Sequence, residues 1–242
     1  MKHNRLYQIL YLDEDIIVVN KASGVLSIPD RFDRNLPNLR ALLEEKFGRI
    51  WVVHRLDKET SGIMVFARNA ESHKNLNTQF EQLEVVKIYH AIVSGWIPEE
   101  EFDIDIPLLT DPSNKGRTIP SARGKEALTK VRVLERFSIA TLIECNLVTG
   151  RHHQIRVHCS TIGNPLLVDE IYGNNNAFFL SHIKRRYNLK KGAEEKPIIN
   201  RLTLHSYSLR FLHPKTIEQV EFIGPYPRDF SALLNVLRKY SK

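Results

Sequence analysis

At 242 residues, with 42% hydrophobic and 26% charged side chains, the chain has the length and composition of an ordinary soluble globular protein with a substantial core. No run of 18 or more apolar residues occurs, so no membrane span is expected. The start, MKHNRLYQILYLDED, meets acidic residues too early for a signal peptide. The net charge of +7 and a sequence pI of about 9.4 favour a polyanionic partner, because each neutralised phosphate releases condensed counterions. Two cysteines, Cys145 and Cys159, match no zinc or redox spacing and suit a reducing compartment, so the chain reads as cytoplasmic.

QILYLDEDIIVVNK carries two alternating or β-branched runs around Asp13-Glu14-Asp15, which predicts a hairpin. Leu39, Leu42, Leu43 and Phe47 fall at helical spacing, and Gly48 closes that helix. WVVHRLD reads as a strand running into a turn, and GIMVFAR as a second strand after it. Asn69 is placed to cap a helix with Leu76, Phe80 and Leu83 on one face. KIYHAIVSGW is a further strand. Residues 108–127, rich in Pro, Gly, Ser and Lys, read as largely loop. TKVRVLERFSIATLIECNL gives two strands. TGRHHQIRVHCSTIGNP reads as a helix capped by Thr149, with Ile155, Cys159 and Ile162 along one side and Gly163 and Pro165 ending it. A basic stretch, HIKRRYNLKKG, follows at 182–192. Two late strands, RLTLHSYSLRFLHP and IEQVEFIG, precede a C-terminal helix with Phe230, Leu233, Leu234 and Leu237. Strands with interspersed helices and no regular βαβ rhythm predict an α+β fold, and no linker divides the chain.

Two clusters carry chemistry. In HRLDKETSG (54–62), Asp57 sits where an extended run turns. A carboxylate there can serve as nucleophile, general base or ion-pair partner. Thr60 and Ser61 can bond the turn, and Gly62 permits close backbone approach. For an arbitrary aspartate, a surface turn would be the default explanation. In TGRHHQIRVH (149–158), Arg151 near a helix start can reach phosphates, and Arg156 can pair with a carboxylate elsewhere. His153, His158 and Cys159 fit no common zinc spacing, and the neighbouring arginines would repel a cation, so no metal site is expected.

HRLDKETSG resembles the catalytic-aspartate motif of the RluA-type pseudouridine synthases. VVNKASGVLSIP resembles that family's lysine-containing N-terminal motif, KIYHAIVSGW its tyrosine strand, LVTGRHHQIRVHCSTIGNPLLVDEIYG its arginine motif and RLTLHSYSLRFLHP its late strand. Collinear matches along most of the chain are far more specific than one nine-residue match. The resemblance implies the pseudouridine synthase fold: a mixed, mostly antiparallel central sheet with flanking helices and loops around a catalytic cleft. It also implies a single catalytic domain over 1–242, short of the separate S4 RNA-binding domain that many relatives carry. The implied reaction isomerises a uridine to pseudouridine in large-subunit ribosomal RNA, transfer RNA or both, with no cofactor. RNA, as a structured stem-loop, is the implied partner, with no membrane, no obligatory protein partner and a monomeric state.

The same resemblance assigns roles. Asp57 matches the catalytic aspartate, Tyr89 the tyrosine that stacks on the target base, and Arg156 the arginine that ion-pairs with the aspartate and orients it. Arg55 matches the side chain that fills the space left by the flipped base. His54, Thr60, Ser61, Lys21, Arg151 and His153 are the further RNA-contact candidates. Two departures stand out: Ala22 where the family usually has proline, and Val168 where glycine usually precedes the aspartate. Two rivals are weighed against the isomerase. An inactive RNA-binding relative has no need of an intact Asp57, Tyr89 and Arg156. A glycosidic-bond hydrolase wants a second carboxylate at defined distance, and the sequence offers no candidate.

Overall fold

The computed structural model describes residues 6–30, 33, 35–184, 187 and 192–241. In chain order the strands are β1 (Tyr7–Leu12), β2 (Ile16–Lys21), β3 (Trp51–Val52), β4 (Ser61–Ala67), β5 (Val86–Ser94), β6 (Glu101–Asp105), β7 (Leu108–Thr110), β8 (Thr118–Pro120), β9 (Leu128–Arg136), β10 (Ala140–Leu147), β11 (Leu204–Leu212) and β12 (Gln219–Ile223). The helices are α1 (Leu39–Phe47), α2 (Ala70–Glu81), α3 (Gln154–Thr161) and α4 (Arg228–Tyr240). No helix among the described residues is long and apolar enough to cross a membrane. The chain groups into two compact units, Met1–Tyr89 with His205–Pro225, and His90–Leu204 with Tyr226–Lys242.

In the first unit β2 pairs antiparallel with both β1 and β4, β4 pairs parallel with β11, and β12 closes antiparallel on β11. Every residue of β4 is buried, which is why SGIMVFA reads as a continuous run rather than an alternating one. Ile63 and Val65 join Ile16, Val18, Leu209 and Phe211 in one apolar cluster, against Leu76 and Phe80 of α2. Asn69 caps α2 as its sequence position predicts, its side chain accepting from the Ser72 N–H. Leu83 does not continue that face. It lies beyond the helix at φ 60° and is exposed.

In the second unit β9 pairs antiparallel with β10 and β6. Phe230, Leu233, Leu234 and Leu237 of α4 pack with Ile92, Ala140, Leu142 and Phe178, so the predicted stripe is the buried one. The pairings are mixed and mostly antiparallel, and with the four α-helices among the described residues they make an α+β fold.

Two local readings need correction and one needs detail. Residues 108–127 are largely loop as read, but they hold a short hairpin of β7 and β8, and Lys125 exchanges backbone hydrogen bonds with Leu108 at its base. A Cβ at Gly124 would lie 2.5 Å from the Leu108 backbone, so glycine composition there marks close packing, not looseness. Only Trp51–Val52 of WVVHRLD is strand. Thr149 does not cap α3, whose N-cap is His153 in the left-handed region at φ 55°. Part of the basic stretch 182–192 lies outside the described residues.

Candidate functional site

The turn that carries Asp57 is fixed from both sides. Asn38 caps α1 by accepting from the Ala41 N–H, and Leu39 N and Arg40 N donate to Leu26 O and Ser27 O. That anchorage holds Ser27, whose hydroxyl donates to Leu56 O (2.7 Å) and accepts from Leu56 N (3.1 Å). On the other side Lys58 O accepts from Gly24 N and from the Lys21 ammonium, and Glu59 O accepts from the Ser23 hydroxyl. Thr60 N donates to Asp57 O and closes the turn. Leu56 is buried, whereas Asp57 between the pinned residues stays part-exposed. Pre-paid immobilisation of this kind is what a reacting carboxylate requires.

Lys21 is 1% exposed, and its Nζ also donates to Ala22 O and Val25 O, besides Lys58 O. An ammonium has three N–H donors, and three carbonyls match them. In this position Lys21 braces the turn. Ala22 departs from proline without loss, because its N–H donates to Leu6 O, a bond proline cannot make.

His54 is half-buried and bonded inward. Its Nε2 accepts from Val65 N (3.0 Å), and its ring stacks on Phe80 at 4.8 Å. Burial, with the Lys87 charge adding to it, pushes the imidazole down to about 3 from 6.5, so the ring is neutral at neutral pH. Ser61 is fully buried with its hydroxyl 2.9 Å from His205 Nδ1. His205 Nε2 faces Gly224 O at 3.1 Å and must donate there, so Nδ1 is the acceptor and Ser61 the donor. Thr60 is 2% exposed. Thr60 and Ser61 are thus buried within the frame, and the half-buried His54 is bonded to it through Val65 and Phe80.

Tyr89 lies on β5, in the first unit, at 8% exposure. Burial raises its phenol well above the usual value; a hydrogen bond with Ser206 partly offsets this, and the Asp57 charge raises it further. The phenol is thus protonated at neutral pH and feels the Asp57 carboxylate. Arg55, next to Leu56, is exposed.

In the second unit, Gln154 organises the turn before α3. Its Oε1 accepts from the Thr149 hydroxyl (2.8 Å) and Arg151 N (2.9 Å), and its Nε2 donates to Leu128 O and the Thr129 hydroxyl. Arg151 is exposed, with Nε on Glu126 O. The His153 ring stacks on His152, and its Nδ1 lies 2.9 Å from the Tyr172 hydroxyl. Arg156 is 6% exposed and makes a bidentate pair with Asp169, Nε to Oδ2 at 2.8 Å and Nη2 to Oδ1 at 2.6 Å. Burial alone would raise the Asp169 carboxyl, but Arg156 and the Ile171 and Tyr172 N–H groups hold it below its usual range. Val168, the second departure, is 1% exposed in the apolar cluster, and its backbone bonds Thr203.

Two of the histidines considered for metal ligation spend both ring nitrogens inside the protein. His158 is engaged on both sides, by Thr129 and by Ile106 O. A group formed by Asp13, Asp15 and His213 is also committed internally: His213 Nδ1 accepts from two backbone N–H groups, so Nε2 donates to Asp13.

Sequence reading missed Ser27, Gln154, Asp169 and Tyr172. Each stands inside a quoted motif, but its role depends on a partner distant in the chain.

The sequence model for RNA pseudouridylate synthase matches residues 15–161. The ribosomal large subunit pseudouridine synthase D of Neisseria meningitidis serogroup B is 38% identical over 238 residues, which cover 95% of this chain and 61% of that protein. The chain therefore spans less than two thirds of that relative's length. The dual-specificity RNA pseudouridine synthase RluA of Vibrio vulnificus is 35% identical over 215 residues, 86% of this chain and 79% of that protein. Among solved structures, human RNA pseudouridylate synthase domain containing 4 superposes with a TM-score of 0.71 at 26% identity, over 95% of this chain and 92% of that one.

Proposed function

Because the chain belongs to the RNA pseudouridylate synthase family, we propose that it isomerises a uridine to pseudouridine in large-subunit ribosomal RNA or transfer RNA, with Asp57 as the catalytic carboxylate. The observation that carries this reading is the Asp57 turn itself. The residues on either side are locked by Lys21, Ser23, Gly24 and Ser27, and the part-exposed carboxylate raises the pKa of a buried tyrosine. The name of one relative supplies the large-subunit ribosomal class, another relative is named for dual specificity, and transfer RNA comes from the resemblance in the sequence.

The reaction balances within one nucleotide. The N1–C1′ bond breaks, the uracil turns over, C5 bonds to C1′, the C5 proton leaves to solvent and N1 takes one up. Asp57 serves either by attacking C1′ or by acting as a base at the ribose. Tyr89, a neutral phenol, stacks on the target base. Arg55, exposed and planar, fills the vacated stack, since a uridine within folded RNA is reached only by flipping it out. Arg156 supplies positive charge to the catalytic carboxylate, and Arg151 and His153 reach phosphate.

The test is tritium release from uridine-C5-labelled ribosomal and transfer RNA lacking pseudouridine. The wild-type protein should release tritium from one pool without freeing uracil. Asp57→Asn should release none while still binding that RNA. Free uracil would replace the isomerase by a hydrolase, and RNA binding without release by the wild type would favour the inactive binder.

A further inference from the structure

We infer that Asp169 and Tyr172 are positioning residues for Arg156, fixing its guanidinium through one buried carboxylate and the ring that this carboxylate holds in place. The inference rests on the proposed role of Arg156.

The Asp169 side chain is fully buried, and it meets Arg156 through the Nε/Nη2 edge in the fork-on-fork geometry that constrains a guanidinium in both direction and plane. The Nη1 group lies outside this contact. The same carboxylate has a second task. Its Oδ1 also accepts from the N–H groups of Ile171 (2.9 Å) and Tyr172 (3.1 Å), so it closes the turn that carries Tyr172. The Tyr172 ring lies under the Arg156 guanidinium, 5.0 Å from its centroid. That ring is itself held at its hydroxyl, which accepts from Thr118 N (2.8 Å) on β8 and meets His153 Nδ1. The fork therefore has one edge tied to a carboxylate and one face resting on a clamped ring.

Stability alone does not call for this arrangement. A buried ion pair is often no better for stability than well-packed apolar residues, whereas it fixes geometry closely. A salt bridge serving only to join α3 to the following turn would not need the aromatic clamp beneath it.

The experiment is a double-mutant cycle read by steady-state tritium release, with thermal unfolding alongside. Asp169→Asn keeps the shape and removes the charge. It should lower kcat by about 100-fold with KM within about twofold, the scale set by small displacements of a catalytic group. In an Arg156→Ala background the same change should lower kcat no further. Equal losses in both backgrounds would mean that Asp169 acts independently of Arg156, and an unchanged kcat in the single variant would mean that it positions nothing; either overturns the inference. If Asp169→Asn fails to unfold cooperatively, Asp169→Glu carries the test. It keeps the charge and moves the carboxylate by one methylene, so kcat should fall at least about tenfold with cooperative unfolding retained; wild-type kcat in that variant overturns the inference. A wild-type protein that releases no tritium refutes the proposed function, and Arg156→Ala with wild-type kcat refutes the role of Arg156. An active wild type with an essential Arg156 and indifferent Asp169 variants refutes only the positioning.

Discussion

Gly62→Ala tests how tightly the residues after Asp57 are built into the sheet. Gly62 pairs with Ser206 where β4 meets β11 in parallel, and its φ is +123°, a region that side chains avoid. A Cβ there would stand 2.2 Å from Ser206 O, 2.5 Å from Ser206 N and 2.7 Å from Ser206 C. These are backbone atoms, so no rotamer change relieves the overlap. Backbone strain costs about 1–3 kcal/mol and forced overpacking a similar amount. The sum is about 4 kcal/mol, a large share of a typical stability of roughly 5–15 kcal/mol. For a chain of this size that corresponds to a fall of about 8 to 16 °C in Tm. Calorimetric or fluorescence-monitored unfolding reads it directly. A second effect follows from position: Ser206 is the hydrogen-bond partner of Tyr89, so tritium release measured below the lowered Tm should fall at least about tenfold. A Tm within 2 °C of wild type would refute the reasoning, since it would mean that the two strands separate at almost no cost.

Ser27→Ala leaves both the N–H and the C=O of Leu56 without their buried partner, and should destabilise by about 2–3 kcal/mol in chemical denaturation; an unchanged midpoint would show that the turn does not depend on this hydroxyl. His54 has a folded pKa of about 3 against 6.5 for the free side chain, so below pH 6.5 the unfolded chain binds a proton that the fold refuses. Its contribution is complete above pH 6.5 and is lost as pH falls toward 3, at up to about 1.4 kcal/mol per unit. His54→Gln, which keeps an acceptor, should flatten the pH dependence of stability between 6 and 4, and an identical slope would place the acid sensitivity elsewhere. Because burial and Asp57 raise the Tyr89 phenol, the pH profile of kcat should show no alkaline limb from Tyr89 below pH 10. A limb near pH 8 that disappears in Tyr89→Phe would contradict that.

Periodicity made the elements legible where burial is one-sided. The α4 stripe was readable from its own spacing, and the Asn69 cap because its partner, the Ser72 N–H, lies three residues on. The hairpin at 108–120 was not, because its short strands are fixed by a backbone exchange with Lys125 and by the close approach at Gly124, neither of which shows in composition. The site divides the same way. The motifs located the chemistry, but residue type could not say which polar groups face a ligand and which hold the frame. Lys21 and Arg55 are both cations in quoted motifs, yet one is sunk among three carbonyls and the other is exposed. The partners that separate them lie tens of residues away: Lys58 for Lys21, Leu56 for Ser27, Leu128 for Gln154. This has a consequence for the Asp57 turn. A carboxylate between two pinned residues pays little ordering entropy when substrate arrives, because the braces at positions 21–27 have already fixed the backbone. Polar groups in KASGVLS are therefore consumed inside the protein, while Asp57 and Arg55 remain accessible for what the sequence cannot supply by itself.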